Sequence, residues 1–105
     1  MVKPSDFRAI VRRGRRTPTA STLIYRVERD SGDPARFGFI VAKTVGNAVE
    51  RNLVRRRMRA VCRSIVDAGG SGSDVVVRAL PGSAQKDWTS LSAEMHAILD
   101  PALIR

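Results

Sequence analysis

The chain has 105 residues, enough for one compact domain with a modest core and too few for a separate catalytic domain beside a binding one. Nineteen Lys and Arg against ten Asp and Glu give a formal charge of +9, which asks for a polyanionic partner. Sixteen of those cations are Arg, whose planar fork grips phosphate and stacks on bases, so nucleic acid is favoured over anionic lipid.

The exclusions follow from the same inventory. No stretch approaches the ~18 apolar residues of a membrane span, and the first residues lack the apolar core of a signal peptide, so a soluble cytoplasmic protein without a membrane partner is expected. Cys62 and His96 are the only cysteine and the only histidine. An internal disulfide is impossible and a zinc site has too few ligands. No cluster of carboxylates, His pair or activated nucleophile is visible, so no catalytic residue is assigned.

Ser5 as N-cap, Phe7, Ile10 and Val11 at helical spacing, and Gly14 as a stop predict a short first helix. Thr17 to Ser21 reads as linker, and Leu23, Tyr25 and Val27 alternate with Thr22, Ile24 and Arg26 as in a half-buried strand. Asp30 to Pro34 has turn composition, and Phe37, Phe39 and Val41 form the next alternating run. Together these two strands predict an antiparallel hairpin.

From about Ala48 to Asp67 the period becomes helical, with Val54, Met58, Val61 and Ile65 on one stripe at ~100° per residue. Asn52, Arg55, Arg56, Arg59 and Arg63 fall on the opposite side of the same wheel. Gly69 to Ser73 is a connection, Val75 to Leu80 an apolar strand, and Trp88, Leu91, Met95 and Ile98 mark a last amphipathic helix with Pro101 near its end. Phe37 and Phe39 are expected in the core with Trp88. The order read from the residues is α-β-β-α-β-α in a single domain over residues 1–105, with the arginine helix bridging a parallel strand pair.

Basic residues concentrate in two runs without an acid: Arg8, Arg12, Arg13, Arg15 and Arg16, and then Arg51, Arg55, Arg56, Arg57, Arg59 and Arg63. Mutual repulsion makes a merely solvated face a poor explanation of the second run. Gly46 lets the chain leave a strand sharply, and Asn47 can cap the helix and leave its N-terminus to a phosphate. Arg51, Arg55 and Arg59, at i, i+4 and i+8, form a row suited to an RNA backbone.

The segment from Arg36 to Arg59 closely resembles the bacterial ribonuclease P protein family. That family's signature is a strand ending in Lys, then Gly-Asn-Ala-Val, then Arg-Asn-Arg-x-(Lys/Arg)-Arg-x-x-Arg. The resemblance extends more loosely to Asp6-Phe7 with Gly14, to Tyr25, and to Asp74 through Pro81. It implies an α+β, α-β-β-β-α-β-α sandwich (ribosomal protein S5 domain 2-like), with a mixed sheet, an Arg-rich helix as crossover, and a short strand hidden among the predicted loops. It further implies that the chain assists a catalytic RNA in the Mg²⁺-dependent removal of the 5′ leader from precursor tRNA, with the Mg²⁺ bound mainly by the RNA and the free protein monomeric.

Carried over by position, Lys43, Asn47, Arg51, Asn52, Arg55, Arg56 and Arg59 become RNA-binding residues. Phe7, Tyr25 and Phe39 become the lining of a leader-binding cleft; by themselves the residues would place such aromatics in the core. Leu53 departs from the signature where a second Arg is usual, so that contact is lost or supplied by Arg57. Val11, Ile40, Ala42 and Thr44 depart as well.

Overall fold

The computed structural model describes residues 4–29 and 32–99. Helix α1 (Pro4–Arg13) leads into strand β1 (Arg15–Pro18), β2 (Thr22–Glu28) and β3 (Arg36–Ile40). One 3-10 turn (Lys43–Val45) joins β3 to α2 (Ala48–Asp67), followed by β4 (Ser73–Ala79) and α3 (Trp88–Leu99). The strands form one mixed sheet in the order β1-β2-β4-β3.

This order corrects the hairpin expectation. Strands β2 and β3 never pair; β4 lies between them, antiparallel to β2 and parallel to β3. The β3-α2-β4 unit is the predicted parallel pair with its helical crossover. The hidden strand is β1, pairing antiparallel with β2 from Arg15↔Arg26 to Pro18↔Leu23. Pro18 is tolerated because it ends an edge strand, where a missing N–H costs no ladder bond. The predicted turn at Asp30–Pro34 lies partly outside the described residues, as does Pro101.

Both faces of the sheet are covered, so β2 is not half-buried as its alternation suggested. On one face Ile24, Val75, Val77 and Phe37 meet Val54, Met58, Val61, Cys62 and Ile65 of α2 and Leu91, Met95 and Leu99 of α3. The predicted stripe of α2 is therefore the core face. On the other face Tyr25 and Val76 pack with Ile10 of α1, flanked by Phe7, Val11, Leu23 and Ile40. Val76 and Val77 are fully buried from opposite sides, as expected of a central strand whose apolar run is continuous rather than alternating. The side chain of Trp88 lies outside the described residues.

Candidate nucleic-acid interface

The α2 start is fixed by its own sequence. Asn47 Oδ1 accepts from the Glu50 backbone N–H at 2.9 Å, and Glu50 Oε1 accepts from the Asn47 N–H at 3.0 Å, a complete capping box. Gly46 has a second reason to be glycine: a Cβ there would sit 2.6 Å from Glu50 Oε1. Glu50 also accepts from Gln85 Nε2 at 2.7 Å. A carboxylate of the chain thus lies at the helix N-terminus and takes up the Asn47 N–H, while the capping box leaves the N–H groups of Ala48 and Val49 unengaged among the described residues.

Beyond the cap, α2 carries the predicted row. Asn52, Arg56, Arg59 and Arg63 are exposed, while Arg51 and Arg55 are half-exposed. Among the described residues none of these arginines forms an ion pair; the one polar contact within the row is Arg55 Nη1 donating to Asn52 Oδ1 at 3.3 Å. Lys43 is exposed on the 3-10 turn just before the helix. Arg57 stands apart from the row: its Nη1 donates to the Lys86 carbonyl at 3.0 Å and ties α2 to the segment before α3.

The acids that are paired sit elsewhere. Arg36 grips Asp74 through two bonds of 2.8 and 2.6 Å, and Arg29 Nε approaches the same carboxylate at 2.9 Å. Glu28 pairs with Arg26 at 2.9 Å and accepts from Ser73. Glu94 accepts from the Ser21 backbone N–H at 2.9 Å and lies 3.8 Å from Lys86. Hydrogen bonding from Arg36, with help from Arg29, holds the Asp74 carboxyl below the usual carboxylate range. These contacts consume acids at the β4 start and beside α3, and the row on α2 keeps its charge.

A second cationic surface lies across the sheet. Phe7, Val11 and Ile40 floor an open groove of about 490 Å³ rimmed by Arg8, Arg12 and Arg78. Gly38 makes it possible, since a Cβ there would come 2.4 Å from the Phe7 ring. The groove sorts the predicted cleft aromatics. Phe7 lines it; Tyr25 lies on the same face but is 7 % exposed, beneath α1.

Phe39 is a correction. Its side chain packs with the α2 core on the opposite face, because side chains alternate along β3 and Phe39 shares parity with Phe37. The sequence reading missed Arg78, although a lone charge within an otherwise apolar strand was a usable signal. It also left Arg8 and Arg12 out of the site while noting their run.

Among the described residues no group of three or more His, Cys, Asp or Glu could hold a metal ion. None of the described helices is long and apolar enough to cross a membrane. Fold and surfaces together define a small basic α+β protein with two separate cationic faces flanking one edge strand, β3.

Comparison with known proteins names the family. The model of the family described as Ribonuclease P matches residues 1–103. The ribonuclease P protein component of Clavibacter michiganensis subsp. michiganensis is 43% identical over 99 residues, covering 94% of this chain and 88% of the relative. That of Rhodococcus jostii is 42% identical over 100 residues, covering 89% and 79%. The chain belongs to the ribonuclease P protein family. The same fold appears in the RNase P protein of Staphylococcus aureus, at TM-score 0.81 and 23% identity over 97% of this chain and 93% of that one. It appears again in that of Thermotoga maritima, at TM-score 0.81 and 21% identity over 91% and 92%.

Proposed function

We propose that this chain is the protein subunit of a ribonuclease P, binding the catalytic RNA along α2 and the 5′ leader of precursor tRNA in the groove beneath α1. The observation that carries the reading is the unpaired arginine row of α2, in a chain that belongs to this family. Lys43, Asn47, Arg51, Asn52, Arg55, Arg56 and Arg59 meet RNA phosphates and sugars. Phe7, with Arg8, Arg12 and Arg78 around it, offers a stacking surface between cations, which suits a single strand of any sequence.

The reaction is endonucleolytic hydrolysis leaving a 5′-phosphate on mature tRNA, with Mg²⁺ and the attacking water held mainly by the RNA subunit. The protein contributes no reacting group. It raises substrate affinity through the leader and screens repulsion between two polyanions, which lets metal ions fill their sites at lower concentration. With a charge of +9, self-association of the free protein is opposed, which favours a monomer, and the cytoplasm is the compartment this reading assigns.

The test is reconstitution with a bacterial ribonuclease P RNA. Precursor cleavage is expected at low Mg²⁺, where the RNA alone is slow. A gain no larger than that from an unrelated protein of equal charge would overturn the proposal.

A further inference from the structure

The RNA row of α2 borders a feature that phosphate binding leaves unexplained. Between the outer edge of β3 and α2 runs a groove of about 310 Å³, floored by Phe37, Phe39, Cys62 and Val66 and rimmed by Arg59 and Arg63. Among the described residues β3 is the last strand of the sheet, so no further strand flanks the Phe39 ring on its outer side. That ring is only half-buried, while Phe37 beside it is 8 % exposed.

We propose that this groove is a nucleobase pocket: one base of the partner RNA leaves its stack and lies on the Phe39 ring while Arg59 and Arg63 hold the flanking phosphates. The inference rests on the reading of α2 as the RNA face and adds to it a subsite distinct from the groove under α1.

Three features select this occupant. The floor is apolar and uncharged, since burial pushes the Cys62 thiol well up and keeps it protonated. It therefore accepts a flat, weakly polar group rather than a phosphate. The rim carries two guanidinium groups four residues apart, ~6 Å along the helix axis, with no ion pair among the described residues. It therefore requires negative charge on the flanks of whatever fills the floor.

A nucleotide joins both properties in one unit, and unstacked bases are commonly held on aromatic rings. The free backbone groups along the outer edge of β3 can also hydrogen-bond base edges. A second copy of the chain would bring two more arginines into the same groove and is disfavoured by charge. An acidic extended peptide added to the β3 edge is the other class of occupant, and the test separates it.

The experiment uses the full chain bound to a bacterial ribonuclease P RNA, with affinity measured over a salt series for Phe39→Leu, Phe39→Tyr and the double variant Arg55→Ala, Arg59→Ala. Stacking releases no counterions. Phe39→Leu should weaken binding about tenfold at an unchanged salt slope, and Phe39→Tyr should stay within about twofold of the parent. Ultraviolet irradiation of the parent complex should leave a nucleotide adduct on Phe39 or Cys62, a readout that does not depend on any variant folding.

Phe39→Leu binding the RNA as the parent does, or adducts confined to other residues, would overturn the pocket and leave this edge to a peptide. If the arginine double variant still loses salt dependence, the RNA face stands without the pocket. If that variant is silent too, the RNA face itself has failed.

Discussion

Arg36 and Asp74 are register partners across the parallel pair of β3 and β4, and their side chains close the same rung with two bonds of 2.8 and 2.6 Å. The pair joins the strand that borders both cationic faces to the centre of the sheet. Because Asp74 titrates below its ordinary value in the folded chain, it contributes stability above the unfolded carboxylate pKa, and that contribution is lost as pH falls through the folded value. Asp74→Asn should therefore lower stability near neutral pH, by less than the loss of a fully buried ion pair because Arg36 is partly exposed. Thermal melts of parent and variant should converge as the pH is lowered below about 4, and a gap that persists in acid would remove this pair from the pH dependence.

The capping box separates two duties of Asn47. Asn47→Ala removes the acceptor for the Glu50 N–H and should cost about 1 kcal/mol, a fall of ~4–8 °C in melting temperature for a domain of this size. Asn47→Asp keeps the cap and places a negative charge beside the arginine row. It should melt near the parent yet bind RNA several-fold more weakly. If Asn47→Asp binds as the parent does, Asn47 is a cap and not a contact.

Phe7 reaches over the sheet only because Gly38 has no side chain. Gly38→Ala should push the ring outward, disturbing the groove at modest cost because a ring at the end of a side chain can swing away. The measurement is the ratio of affinities for precursor and mature tRNA in the assembled particle. Gly38→Ala and Phe7→Ala should both lower it, with mature tRNA binding unchanged. Equal losses for both RNAs would place the leader elsewhere.

Much of this was legible because helical periodicity is local. Val54, Met58, Val61 and Ile65 announced the core face of α2, and the arginine row followed from the same wheel. Strand pairing was not local: the turn-rich Asp30–Pro34 segment suggested a hairpin, while the insertion of β4 between β2 and β3 depends on residues some forty positions on. The continuous run Val75-Val76-Val77 was the hint, since a strand apolar on both faces belongs in the middle of a sheet.

Phe39 was assigned to the leader cleft with Phe7 and Tyr25, although its shared parity with Phe37 already placed it on the α2 side. Arg57 was offered as a substitute for the contact missing at Leu53, and its bond to the Lys86 carbonyl is a contact across elements that no spacing rule could reveal. The groove under α1 gathers Phe7, Ile40 and Arg78 from three separate elements, so only the folded chain brings them together.

The central claim is that the guanidinium row of α2 is free to meet RNA phosphates, and the salt dependence of binding reads this most directly. For Arg55→Ala with Arg59→Ala, the slope of log affinity for ribonuclease P RNA against log salt should flatten by about one unit per lost phosphate contact. A slope identical to that of the parent would contradict the account.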